Sequence, residues 1–181
     1  QQLTTQDVIG SYDGTFPNGN AYTTGQEGDA NTAMTFDGAN QYVSTGLVPT
    51  ASGTISAWFK TADVAATMMM CGSYDAPTSV RSYLARAGSN KLSGGIGAHN
   101  TTVIFGTTTP LGTDWNHGAI TWDGATVNLY FDGVNEYSAA QSGSALTLLG
   151  MFIGAANNAG SPANYWNGSL QHVMMFNEAK N

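Results

Sequence analysis

Charge is scarce in this chain of 181 residues: Asp, Glu, Lys and Arg make up 9% of it, against about 25% in an average globular protein. That excludes disorder driven by charge repulsion, and equally a lysine-rich helical bundle. Basic residues are the scarcest. Lys60, Arg81, Arg86, Lys91 and Lys180 are scattered singly against 12 acids, for a formal net charge of −7. Nucleic acids and anionic membranes are gripped by basic patches, so neither is an expected partner. No apolar run approaches the roughly 18 residues that cross a bilayer, so membrane insertion is not expected either. A single cysteine, Cys71, excludes an internal disulfide and any thiolate metal cluster. It follows Met68-Met69-Met70 in an apolar run and reads as a buried thiol. The chain opens with neither an initiator Met nor a signal peptide, and is expected to be processed or part of something longer.

What is present is strand pattern. In Thr54-Ile55-Ser56-Ala57-Trp58-Phe59-Lys60, the residues Ile55, Ala57 and Phe59 share one face at period two. Thr126-Val127-Asn128-Leu129-Tyr130-Phe131 repeats this with Val127, Leu129 and Phe131, the alternation of a half-buried strand. Further strands are expected over 33–36, 41–44, 67–72, 82–87, 92–98, 101–106, 118–122, 149–154 and 169–176. Trp58 and Tyr130 fall opposite the apolar stripes, which implies cover on the second face too. Four Asp-Gly pairs, at 13–14, 37–38, 123–124 and 132–133, and Asn-Gly at 18–19 and 167–168 supply the positive backbone angles of tight hairpins. Segments 63–66, 74–79 and 157–162 read as loops. The expected architecture is an all-β sandwich occupying residues 1–181 as a single domain.

From Trp115 the chain runs Asn116-His117-Gly118-Ala119-Ile120-Thr121-Trp122-Asp123-Gly124, then Val127-Asn128-Leu129-Tyr130-Phe131-Asp132-Gly133. This resembles the laminin-G-like, concanavalin A-like jelly-roll family. Three further blocks stand in family order: Met34-Thr35-Phe36-Asp37-Gly38 with Gln41-Tyr42-Val43, the strand 54–60, and a closing strand from Gly168 to Asn177. The resemblance implies a jelly-roll sandwich of two antiparallel β-sheets. For Asp37, Asp123 and Asp132 the residues themselves favour a turn-forming role, because each precedes a glycine.

The same superfamily contains glycoside hydrolases, which need paired carboxylates about 5–5.5 Å apart in retaining enzymes. Glu27-Gly28-Asp29 is the one close pair. It lies in a glycine-rich loop, without the third acid of the hydrolase signature. No Gly-x-Ser-x-Gly elbow leads into a helix, and Gln141-Ser142-Gly143-Ser144 reads as a loop. His99, His117 and His172 have no metal-like spacing; His117 reads as structural and His172 as core or subunit contact. The expectation is a non-enzyme with no catalytic residues. Many relatives hold calcium with an Asp in the closing strand, where this chain has Gln171 and His172. Calcium is a hard cation that wants charged oxygen, so no metal and no cofactor are expected; the alternative is calcium held by backbone carbonyls with Asp7 or Asp13.

Lectin-like members stack sugars on aromatic rings and read hydroxyls with amides. The candidate ligand-binding residues are Tyr74, Arg81, His99, Asn157, Asn158, Tyr165 and Trp166, with Tyr83 and Arg86 close by in sequence. Trp166 has two readings, an exposed sugar platform or a ring packed under the closing strand. The leading functional expectation is a non-catalytic extracellular recognition or adhesion domain that binds a glycan or cell-surface receptor. The alternative is a virion surface component, such as a phage capsid decoration or tail-fibre domain, acting through neighbouring subunits of an assembly. A glycoside hydrolase or lyase-like enzyme comes third. Fold by itself does not choose among them.

Overall fold

The computed structural model describes residues 13–19, 21–61, 63, 66–75, 80–98, 103–109, 114–141 and 149–180. In chain order the strands are β1 (Ala21–Thr23), β2 (Ala33–Asp37), β3 (Val43–Ser44), β4 (Gly53–Lys60), β5 (Met68–Asp75), β6 (Val80–Arg86), β7 (Leu92–Ala98) and β8 (Val103–Phe105). They continue with β9 (Asn116–Trp122), β10 (Thr126–Phe131), β11 (Val134–Ala140), β12 (Phe152–Ile153), β13 (Ala156–Asn158), β14 (Ser161–Ala163) and β15 (Asn167–Phe176). One sheet runs β1-β2-β15-β4-β9-β10-β11; the other runs β14-β13-β5-β6-β7-β8, with β12 and β3 joined at β5. Pairing is antiparallel except between β13 and β5. This is the expected jelly-roll sandwich.

The period-two stripes explain why the sheets face each other. Ile55, Ala57 and Phe59 of β4 and Val127 and Leu129 of β10 are at most 1% exposed. They meet Met70, Leu84, Leu92 and Ile96 of the opposite sheet in one apolar cluster. Each large side chain so buried contributes roughly 1.5–3 kcal/mol. Cys71 lies in that cluster, and burial pushes its thiol up to about 12, as the apolar run implies. The second face of β4 is partly covered at one end: Thr54 Oγ1 donates to the Glu178 carbonyl and accepts from the Lys180 N–H, both at 2.8 Å. At the other end Trp58 stays half-buried.

The Asp-Gly turns behave as their chemistry requires. Asp37 Oδ1 accepts the N–H groups of Ala39, Asn40 and Gln41. Asp123 Oδ1 accepts those of Ala125 and Thr126. Asp132 and Gly133, at φ 47° and 80°, make the two-residue loop joining β10 to β11, in which Phe131 pairs with Val134. Two expected strands shorten to dipeptides: β3, which pairs with β12, and β12, which also pairs with β5. The expected loop at 157–162 is instead the β13–β14 hairpin, with Asn158 opposite Ser161. Its turn residues Ala159 and Gly160 both have positive φ, and Ala-Gly lacks the side-chain signature that announces such turns. In β15 a bulge between Gln171 and Met174 places His172 at φ 47°. That extra residue turns His172 outward, so it is exposed and not part of the core as its apolar neighbours suggest.

Candidate functional site

Strands β5 and β6 pair Tyr74 with Arg81 and Gly72 with Tyr83, which sets these side chains on the outer face of the second sheet. The β13–β14 hairpin lies alongside, held because β13 pairs with β5. Together they enclose a cleft of about 340 Å³, lined by Met69, Ser73, Tyr74, Arg81, Tyr83 and Asn158, with Ala156, Ala163 and Asn164. The Arg81 guanidinium carbon is 5.2 Å from the Tyr74 ring centroid, a cation–π contact that fixes its position. Burial pushes the Tyr83 phenol up, against the opposing pull of Arg81. Asn158 Oδ1 is buried and accepts no hydrogen bond among the described residues. Leaving such an acceptor unpaired costs about 1–3 kcal/mol.

Of the sequence candidates, the structure therefore assembles Tyr74, Arg81 and Asn158, with Tyr83 beside them. His99 lies outside the described residues. Trp166 is a correction to the platform reading: it is 0% exposed, and its ring meets Phe59 edge-on at 5.9 Å. The alternative of packing under the closing strand describes it. Asn157 is corrected too. Its Nδ2 donates to the Gly150 carbonyl at 2.6 Å and its Oδ1 accepts the Gly160 N–H at 2.8 Å, so both polar ends hold backbone. Tyr165 packs toward Tyr42, ring centroids 6.4 Å apart, and does not line the cleft. Arg86 stands at the far end of β6, 1% exposed, with Nε donating to Asn90 Oδ1 at 2.8 Å. Burial lowers its pKa while nearby Asp63 supports the charge.

A second concavity, about 440 Å³, opens on the outer face of the other sheet between Gln26, Trp58, Trp115, His117, Asp132 and Gly133. Register builds it: Gln171, Trp58 and His117 are consecutive cross-strand partners on β15, β4 and β9. Asp132 closes the row, its Oδ1 accepting the His117 N–H at 2.7 Å. Trp58 and His117 rings lie 5.3 Å apart, and Lys60 Nζ sits 5.2 Å from the Trp115 ring centroid. Burial lowers the His117 pKa, with Asp132 pulling the other way. Sequence reasoning assigned His117 to structure. The available signal was Trp58 standing opposite its strand's apolar stripe, but nothing local links it to position 117.

Glu27 and Asp29 are exposed in the loop between β1 and β2, where the Asp29 carbonyl accepts the Gly25 N–H. Neither lines either of these two concavities. Among the described residues no group of three or more His, Cys, Asp or Glu side chains is placed to hold a metal. Asp7 lies outside them. No helix among the described residues is long and apolar enough to cross a membrane.

Two facing sheets in this strand order, with a cleft on the outer face of one, define a jelly-roll β-sandwich. The family model Laminin_G_3, concanavalin A-like lectin/glucanases superfamily, matches residues 36–181, and the chain belongs to that family. No curated protein matches it. Among solved structures it is similar to domain 4 of AbnA, a GH43 extracellular arabinanase from Geobacillus stearothermophilus, in complex with arabinotriose. The identity is 18% and the TM-score 0.71, with 98% of this chain and 89% of that one covered. It is also similar to the CBM40 of the Ruminococcus gnavus IT-sialidase bound to α2,3-sialyllactose, at 16% identity and TM-score 0.61, covering 74% and 79%. A native heptameric SAP-like pentraxin from Limulus polyphemus aligns at 15% identity and TM-score 0.61, covering 82% and 77%. At these identities the likeness concerns the fold.

Proposed function

We propose that this chain is a non-catalytic, extracellular glycan-binding domain whose ligand sits in the Tyr74–Arg81–Asn158 cleft. The observation that carries this reading is convergence. A guanidinium, two tyrosines and an asparagine side chain meet in one concave, half-polar space. Sugars are recognised by that combination, rings against their C–H faces and fixed polar atoms against their hydroxyls. Solved neighbours of the same fold include a domain in complex with arabinotriose and one bound to sialyllactose, which supports a saccharide as the occupant. Glu27 and Asp29 line neither of the two concavities, which supports a binding role over hydrolysis.

A glycan array with the parent protein and Arg81→Ala tests the proposal. Hydrogen bonds to a charged group contribute about 1.5–3 kcal/mol, so Arg81→Ala should weaken a parent hit by about 10- to 150-fold. The melting temperature should stay close to the parent's. A blank array for the parent overturns the reading. A second reading, an assembly component, has its own observation. Among the described residues strand β11 is a sheet edge, with Val134 66% and Tyr137 46% exposed, and bare apolar edges are usually covered. Light scattering that finds a stable oligomer together with a blank array would favour it.

A further inference from the structure

We infer that the outer face of the β4–β9 sheet carries a second saccharide site, in which Trp58 and Trp115 stack an uncharged sugar and Asp132 accepts its hydroxyls. The four tryptophans divide sharply. Trp122 and Trp166 are at most 2% exposed within the core, whereas Trp58 and Trp115 are half-buried and border the same concavity. A ring on the outer face of a sandwich adds little to the core, and two indoles around one concavity form a surface suited to the C–H face of a sugar.

The polar rim is built on rigid parts. The β1–β2 loop is seated on β15, because the Gln26 N–H donates to Gln171 Oε1 at 2.7 Å. Gly25 allows this approach; a Cβ there would overlap Thr32 Oγ1 and the Gln171 side chain. That seating brings Gln26 to the rim. On the other side the β10–β11 turn is fixed twice to His117, through Asp132 Oδ1 and through the Asp132 N–H donating to the His117 carbonyl at 2.9 Å. The turn thereby carries a carboxylate to the edge of the indoles. Lys60 already occupies a position over the Trp115 ring, which argues against an organic cation as ligand. The Asp132 carboxylate offsets the Lys60 charge across the same concavity, so an acidic sugar meets no net positive charge there. A neutral saccharide satisfies both conditions. The site is on the opposite sheet from the Arg81 cleft and stands or falls separately from it.

The test is a titration with arabinotriose, maltotriose, cellotriose and laminaritriose, followed by tryptophan fluorescence and calorimetry, on the parent, Trp58→Ala, Trp115→Ala and Arg81→Ala. Circular dichroism confirms folding of each variant, and Trp58→Phe replaces Trp58→Ala should that variant fail to fold. At least one neutral trisaccharide should bind the parent and shift its fluorescence. Loss of either indole should weaken that binding about tenfold or more, while Arg81→Ala reports the other cleft separately. The inference is overturned if none of the four binds the parent. It is equally overturned if binding survives both tryptophan variants, or is lost in Arg81→Ala and kept in the tryptophan variants, which would assign the sugar to the other cleft.

Discussion

The two outer faces of this sandwich are made from the same kind of strand and have opposite chemistry. On the β5–β6 face, Arg81 and Tyr74 share a cleft with Met69, Tyr83 and Ala156, beside a hairpin that joins its sheet by a parallel pair. On the β4–β9 face, two indoles and an imidazole are rimmed by a carboxylate from a hairpin turn. Neither difference comes from the core, which both faces share. A sandwich needs only the inward residues of each strand to be apolar, so the outward ones are free to differ.

The sharpest way to break the comparison is to cross from an outer face into the core. Trp166→Ala should cost about 3–5 kcal/mol, as expected for a fully buried tryptophan, and show as a large drop in melting temperature. Trp115→Ala, on the outer face, should cost roughly 1 kcal/mol. Equal losses in the two variants would mean that the outer indoles belong to the core after all.

Next in size, Gly72→Ala should disturb one face and spare the other. A Cβ at Gly72 would lie 2.7 Å from Tyr83 Cβ, under the floor of the Arg81 cleft. Overpacking of this sort costs typically 1–3 kcal/mol. Chemical-shift changes in an NMR spectrum should cluster around Tyr74, Arg81 and Tyr83, leaving the indole signals of Trp58 and Trp115 in place. Asp132→Ala is smaller and opposite in location. It removes the acceptor for the His117 N–H, worth about 1 kcal/mol, and amide exchange should quicken at His117 while β5 and β6 are unaffected.

The smallest expected effect is a pH dependence confined to the indole face. Burial holds the folded pKa of His117 below its ordinary 6.5, so the unfolded chain takes up that proton first. The associated stability is present above pH 6.5 and lost as pH falls from there through the folded value. An NMR titration of the His117 ring should have its midpoint below 6.5. A midpoint above that would mean Asp132 outweighs burial. Further down, Asp37 and Asp123, both held below 3.8 by backbone N–H donors, add an acid limb. Their contribution is present above 3.8 and lost as pH falls through the lowered folded values.

Much of this molecule could be read from its residues in order. Alternation at period two marks β4 and β10, and Asp before Gly marks the turns at 37, 123 and 132, because both signals act over two to four residues. The family order of the Trp-Asp-Gly and Phe-Asp-Gly blocks carries the jelly roll. Tyr74, Arg81 and Asn158 were legible as ligand candidates by residue type, and pairing of β5 with β6 and β13 puts them in one cleft. Asn157 and Trp166 were candidates on the same grounds but point inward. Asn157 is carried there by the β13–β14 hairpin, whose Ala-Gly turn has no recognisable side chain. The pairing of Trp58 with His117 has even less local trace, since 58 and 117 meet only through the register of β4 on β9. A register is a choice among sheet neighbours, made by how all the inward side chains fit together at once. The sequence alone therefore determined that this chain would form strands, where they would turn, and which face of each would be buried. Which outward residues became neighbours was decided by tertiary packing, because a shared surface between distant strands exists only once the core beneath it has closed.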